Sequence, residues 1–543
     1  MEVSIFKNNS IFQKIKNTDA LFEIPILPKE DCNITIEFCL PLLNFHRYWS
    51  PELTTPSNKL PWDLKISSAT QIDFPYFTFF DSDQKNSASV SLIGAVDDNC
   101  FHVKMNQEQC TYDIVIKVAS SGSPFTFRLD QRKIDWQECL ASWRNSMQKL
   151  YPQRIIPQDA WNPVFCTWYM AHAAITQKKV EETAEKAIKL GFKTMIIDDG
   201  WCFDEMKRVS PETIQTWYER IGDWQVSSKK FPDFNAHVKR IQALGMKYLL
   251  WVAPFLIGDH SSVYPKLKES LINGYHEGCY TLNPMDPKAT KIIADKLLEL
   301  LKNHPIDGLK IDFLDYVLPD IDHPHSTQMM KFIQNLTDAI RKHNMNSLIE
   351  FRQRYATMQM LPYATQFRAG DVPFDFVENF QRICQIRLSI GDQVPVHADP
   401  IYWHPDESID NIARHLIASL AGVPMLSIDL ENMRPDVKEV LKNHIDLYYK
   451  YQQTLNHGKW QIRYNNSAVA YAAASGADEN VLFINDSAYY PEALKNYASA
   501  KSLLVFNLSG QALQSFSGTC YQPSGKEEPL KSIPPAGHGV ILA

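Results

Sequence analysis

The chain has 543 residues, of which 45% are hydrophobic and 12% aromatic, with a formal net charge of −7. It is too long for one ordinary domain and carries enough apolar residues for large buried cores. An acidic excess this slight leaves no basic footprint, which excludes nucleic acid as an expected partner.

The first residues, MEVSIFKNNSIFQKIKNTDALFEIPIL, hold no uninterrupted apolar stretch of the leader type, and no later run is long enough to span a bilayer. The expected location is therefore the cytoplasm, with no membrane partner. Ten cysteines are scattered without Cys-x-x-Cys or Cys/His spacing, so they read as buried free thiols, in keeping with a reducing compartment. From residue 1 to 150 the chain shows short alternating runs at 33–38, 88–93 and 113–118, separated by turn clusters such as Ser120-Ser121-Gly122-Ser123-Pro124. That pattern predicts an N-terminal antiparallel β-sandwich, followed by a helical connector over 134–150.

From 151 to 450 the texture becomes strand then helix, repeated. Strands are predicted at 164–168, 194–198, 247–252, 308–312, 347–351, 366–369, 394–398 and 425–428. Amphipathic helices are predicted at 179–190, 236–244, 287–301, 328–343 and 409–420. Eight such units predict a central (β/α)8 TIM barrel. Runs at 469–473, 481–484 and 502–506 predict that 451–543 is a smaller C-terminal all-β domain.

In a barrel of this kind chemistry gathers at the C-terminal ends of the strands. Those ends are rich in polar side chains: Asp198 and Asp199, Lys310 and Asp312, Glu350, Arg352 and Arg354, Arg368 and Asp371, His397 and Asp399, and Asp429, with Trp168, Trp201 and Trp403 among them. Lys310 and Asp312 lie two residues apart on one strand and so leave the same face, where the cation favours an ionised carboxylate suited to nucleophilic attack. Carboxylates, arginines and flat rings converging on one mouth describe a sugar pocket. The carboxylates lack the histidine partners or clustered spacing that a metal site would show, so no metal and no cofactor is expected.

These residues also carry a resemblance. Ile197-Asp198-Asp199-Gly200-Trp201, Ile221-Gly222-Asp223-Trp224-Gln225-Val226 with Lys230-Phe231-Pro232, Leu250-Trp251 and Leu309-Lys310-Ile311-Asp312 resemble, in order and spacing, the signatures of the retaining α-galactosidases of glycoside hydrolase family 36 and its clan, from about residue 161 to 433. The resemblance implies Asp312 as catalytic nucleophile and Asp371, in Arg368-Ala369-Gly370-Asp371, as acid/base. It places Asp198 and Asp199 against the hydroxyls at carbons 4 and 6 of galactose, and Trp224 over the substrate mouth. Trp168, Trp201, Lys310, Arg352 and Arg368 complete the expected substrate-binding set. Relatives often assemble as homo-oligomers, which makes a homo-oligomer one expectation beside a small oligosaccharide or glycoside substrate.

The implied reaction is double displacement between two carboxylates about 5–5.5 Å apart. In it, the charge on Asp312 is expected to raise the pKa of Asp371 and keep it protonated as the acid. The chain departs from the pattern at two strands. Trp251-Val252-Ala253-Pro254 has no glutamate, and Glu350-Phe351-Arg352-Gln353-Arg354-Tyr355 replaces the usual Cys/Gly-rich turn. These departures keep two alternatives open: a clan relative acting on a different, acidic or N-acetylated α-glycoside, and a transglycosylase like the raffinose synthases. A non-catalytic sugar-binding barrel is a third.

Overall fold

The computed structural model describes every residue except Met1, Asn17, Val96, Ser467 and Ala543. The N-terminal region is a sandwich of a six-stranded and a five-stranded antiparallel sheet. Its logic shows in the strand Asp31–Pro41, where Ile34, Ile36, Phe38 and Leu40 are buried and the residues between them face outward. This strand pairs along its whole length with Thr111–Ser121. Across the sandwich, Phe38 meets Phe127 of the other sheet edge-on, with ring centres 5.3 Å apart.

The connector is the helix Trp136–Leu150, started by Asp135, whose carboxylate accepts from the Gln137 N–H. Trp143 stacks on Phe74 at 4.8 Å and Trp136 on Phe80 at 5.0 Å. Arg144 of the same helix donates to the Leu388 carbonyl in the barrel. An aromatic seam thus packs the connector helix against the sandwich, and Arg144 ties that helix to the barrel.

The barrel strands are β1 (Val164–Cys166), β2 (Thr194–Ile197), β3 (Lys247–Val252), β4 (Gly308–Ile311), β5 (Leu348–Arg352), β6 (Gln366–Arg368), β7 (Val396–His397) and β8 (Met425–Leu426). Each pairs in parallel with the next from β1 to β7, and β8 pairs with β1. A single bridge between His397 and Val423, rather than a ladder, brings the ring round. The predicted strands are thus all present, several shorter by a residue or two at their ends. Helices Gln177–Lys189, Phe234–Ala243, Pro287–Asn303, Ser326–His343 and Ile409–Leu420 match the amphipathic predictions. Two more, Phe376–Ile390 and Pro435–His457, were not predicted. The former is buried on nearly every face after Asn379, so it shows no apolar stripe to detect.

The C-terminal sheet is seven-stranded. Within it, Glu479–Ile484 and Ser502–Asn507 run parallel, and the short helix Tyr490–Tyr497 makes the crossover that parallel neighbours require. Among the described residues, no helix is long and apolar enough to cross a membrane.

Candidate active site

The turn after β2 presents two aspartates with different surroundings. Asp198 Oδ2 accepts from Lys310 Nζ at 2.6 Å and from Cys166 Sγ at 3.1 Å, and its backbone N–H donates to the Thr167 hydroxyl at 3.0 Å. The pair is almost fully buried. Burial opposes the charge on Lys310, but Asp198 outweighs it and holds the amine protonated. Asp199 meets an indole instead: Trp217 Nε1 donates to its Oδ2 at 2.5 Å, while its Oδ1 is buried with no hydrogen-bond partner among the described residues. Burial pushes the Asp199 carboxyl up to about 7, against the Trp217 hydrogen bond. Gly200 turns the chain away at φ +100°, and a Cβ there would lie 2.5 Å from the Ala173 Cα.

Asp312 follows β4, and its position is fixed by the left-handed residue after it, Phe313 at φ 57°. Its Oδ1 accepts from the Phe313 N–H at 3.0 Å and its Oδ2 from Trp251 Nε1 at 3.1 Å. Around it stand three cations: Arg352 Nη1 at 3.5 Å, Lys310 Nζ at 3.9 Å and Arg368 Nη2 at 4.0 Å. Burial alone would raise its pKa, but Arg352, then Lys310 and Arg368, outweigh burial and hold the carboxyl below its ordinary range. The expected Lys310–Asp312 proximity is therefore present but secondary. The lysine belongs first to Asp198, and Arg352 is the principal counter-charge of Asp312.

Asp371 stands at the rim, its side chain 48% exposed. Arg352 Nη2 donates to Oδ2 and Arg368 Nη1 to Oδ1, each at 2.9 Å. Burial pulls its pKa up, yet the two guanidiniums, aided by Lys310, hold it well below the usual carboxylate range. This overturns the expectation that the charge of Asp312 keeps Asp371 protonated. Two guanidiniums bonded directly to a carboxylate outweigh repulsion from the other carboxylate.

Arg368 is buried and divides itself among Asp399 Oδ1 at 2.5 Å, Asp371 and the Ala369 carbonyl. Asp399 also accepts from the Val372 N–H at 2.7 Å and the Tyr169 hydroxyl at 3.2 Å. Burial lifts its pKa to about 7 despite Arg368. His397, two residues before Asp399, does not pair with it: His397 Nδ1 faces Glu350 Oε2 at 3.2 Å and Nε2 the Ala160 carbonyl at 2.8 Å. Arg354 leaves the mouth altogether and donates to Asp73 of the sandwich at 2.7 Å. Asp375 caps the helix Phe376–Ile390 through the Glu378 N–H.

The aromatic residues form a wall. Trp201 is fully buried and donates to the Trp251 carbonyl at 2.8 Å. Trp224, at φ 51°, is 2% exposed between Trp201 and Trp251, and its Nε1 has no partner among the described residues. Trp168 is partly buried and meets Trp217 edge-on at 5.7 Å. Trp217 and Asp399 were not among the site residues expected from sequence. Trp217 lies in the irregular stretch after β2, where no periodicity marks a residue as facing the mouth. Among the described residues, no group of three His, Cys, Asp or Glu side chains is arranged to hold a metal ion.

The melibiase family matches residues 138–341. The α-galactosidase of Escherichia coli is 28% identical over 164 residues, covering 29% of this chain and 22% of the relative. α-Galactosidase C of Emericella nidulans is 24% identical over 197 residues, covering 32% and 25%. The matched part thus spans about a quarter or less of those relatives' length. In three dimensions the likeness extends much further. A family 36 α-galactosidase from Geobacillus stearothermophilus, in complex with raffinose, superposes with a TM-score of 0.64 at 14% identity, covering 88% of this chain and 71% of that one. The α-galactosidase of Lactobacillus brevis gives 0.63 at 15% identity, covering 84% and 67%. Residues 138–341 thus resemble the melibiase family, and the chain shares the multidomain fold of the family 36 α-galactosidases.

Proposed function

We propose that the chain is a retaining α-galactosidase that removes terminal α-galactosyl residues from oligosaccharides by double displacement. The observation that carries this reading is the single guanidinium of Arg352, which touches both Asp312 and Asp371. One side chain spanning both carboxylates is compatible with the roughly 5–5.5 Å separation that retention needs. In this reading Asp312, held ionised among three cations, attacks carbon 1 and forms a glycosyl ester. Asp371 gives a proton to the departing oxygen and then takes one from water.

The arginine grip suits the second of those steps, where Asp371 must be a base. For the first step Asp371 must be protonated, so catalysis on substrates with poor leaving groups draws on the small protonated fraction and is favoured by acidic pH. Asp198 and Asp199 receive the sugar's hydroxyls: the paired Asp198–Lys310 offers a fixed acceptor, and the orphaned Asp199 Oδ1 an empty one. Trp168 and Trp224 supply apolar surface, with Trp201 buried behind Trp224, and Arg368 orients Asp371. The raffinose bound by the Geobacillus enzyme is a substrate of the class expected.

Arg352 favours one second reading, a clan relative that takes an acidic α-glycoside, because an anionic substituent would find a guanidinium in the mouth. The test is kcat/KM on matched aryl α-galactoside, α-glucoside, α-galacturonide and α-N-acetylgalactosaminide, with the anomer of the first product followed by NMR. The α-galactoside turned over best, with α-galactose released first, supports the proposal. A galacturonide turned over best selects the second reading, and β-galactose released first removes the retaining mechanism.

A further inference from the structure

Asp199, the acceptor proposed for a substrate hydroxyl, is covered in the empty site. Trp217 Nε1 donates to its Oδ2 at 2.5 Å, and its Oδ1 is buried without a partner among the described residues. The next residue, Tyr218, lies nearly parallel to Trp251, ring centres 6.4 Å apart, and edge-on to Phe313 at 5.6 Å. Those are the two residues whose N–H groups hold Asp312. Two consecutive buried side chains thus stand against both the hydroxyl acceptor and the surroundings of the nucleophile. The backbone beneath them is clamped: the Tyr218 N–H donates to the Glu277 carbonyl at 2.8 Å, and a Cβ at Gly258 or Gly278 would stand 2.3 or 2.7 Å from the Glu219 backbone. The layer above is thin. None of residues 204–216 is buried, and from that segment Lys207 reaches back over the indole at 4.8 Å and donates to the Thr216 and Trp217 carbonyls at 3.3 Å. A stretch with so few buried contacts opens at low cost in free energy.

We infer that Trp217 is a place-holder: in the free enzyme its indole N–H stands on Asp199 where a sugar hydroxyl belongs, and the sugar binds by displacing it; the inference rests on the α-galactosidase reading above. While the indole stays, neither oxygen of Asp199 is open to a ligand, since one is bonded and the other buried. A buried carboxylate without a donor is costly, so the indole stabilises the empty site and a hydroxyl takes over the same bond when the sugar arrives. The sugar therefore competes with Trp217 for Asp199, and its apparent affinity is lowered by the fraction of enzyme in which the indole has left. As the indole leaves, Lys207 loses the ring beneath it, so the exposed segment 204–216 loosens, while the clamped backbone at Tyr218 and Glu219 stays.

The test is Trp217→Phe, which keeps a ring and removes the N–H. The Kd for galactose and the KM for p-nitrophenyl α-galactoside, each taken at the best pH of the protein concerned, should fall about tenfold, as expected when a competing bond to a charged group is removed. A fixed wall that orients Asp199 predicts the opposite sign, so a Kd that is unchanged or raised overturns the inference while the α-galactosidase reading stands. Hydrogen exchange in the wild-type protein gives a second readout that needs no variant: saturating galactose should speed amide exchange over 204–217. Exchange that is unchanged or slowed there overturns the inference even if Trp217→Phe fails to fold. Wild type that neither turns over the aryl galactoside nor binds galactose refutes the α-galactosidase reading and the inference with it.

Discussion

Arg352 is the residue through which the two central carboxylates feel each other, and Arg352→Gln tests the electrostatics of the whole site. The guanidinium stands 2.9 Å from Asp371 and 3.5 Å from Asp312. A hydrogen bond to a charged group contributes about 1.5–3 kcal/mol. The Asp371 side chain is 48% exposed, so water screening takes its share to the lower end, roughly one pKa unit. The sign is upward for both aspartates, because arginine favours their ionised forms and glutamine does not. In kcat/KM the acid limb reports the group that must be ionised and the alkaline limb the group that must be protonated. With Asp312 as the first and Asp371 as the second, both limbs of the profile for a poor leaving group should move to higher pH, the alkaline limb by about one unit. An alkaline limb that stays in place, or moves toward acid, would refute the assignment of Asp371 as the acid gripped by Arg352.

Asp312→Ala should abolish turnover of an activated α-galactoside, and added azide should restore part of it with β-galactosyl azide as product; an α-azide would mean another carboxylate attacks. Asp371→Ala should slow glycosides with poor leaving groups far more than activated aryl glycosides, and equal loss on both would remove it as the acid. Burial raises Asp199 to about 7 from 3.8, so the folded state favours its neutral form. The associated stability is full below about pH 4 and is lost as pH rises through about 7, up to the order of 4 kcal/mol. Asp199→Asn should flatten that decline in a melting-temperature series from pH 4 to 8 while lowering kcat/KM on galactosides; a decline as steep as in wild type would refute the burial argument. Asp399→Asn leaves buried Arg368 short of its nearest counter-charge and should cost about 3–5 kcal/mol in denaturant unfolding; a loss under 1 kcal/mol would show that Asp371 and Glu350 suffice.

The barrel was legible because its strands are short apolar runs, each followed by turn residues and most by an amphipathic helix. The eight predicted strands are the eight found. The helix Phe376–Ile390 was not, since it packs between the β6–β7 region and its neighbours and buries polar side chains such as Asn379, Gln381 and Gln385 along with apolar ones. The parallel pair in the C-terminal sheet was equally hidden, because pairing direction is set by the crossover and leaves no mark within either strand. At the site, parity put Lys310 and Asp312 on one face, and the other polar residues were named because they stand at predicted strand ends. Trp217 was not, because its contact with Asp199 depends on the path of a loop.

What parity could not supply was the charge state. From sequence, Lys310 two residues before Asp312 suggested one cation for the nucleophile, and two carboxylates suggested a raised pKa on the acid. In the ladder Lys310 stands opposite Glu350, and Arg352 opposite Arg368. Two guanidiniums side by side on neighbouring strands, one of them buried, repel unless carboxylates stand around them. Asp371 bridges both, Asp399 holds Arg368 from below, and Asp312 lies within 4.0 Å of each. Asp371 is thus a structural counter-ion of the arginine pair in the free site as well as the proposed proton carrier. Those roles compete, and the resolution the geometry offers is that a substrate occupying the mouth must loosen Arg352, the more exposed of the two arginines at 21% against 2%, before Asp371 can hold a proton.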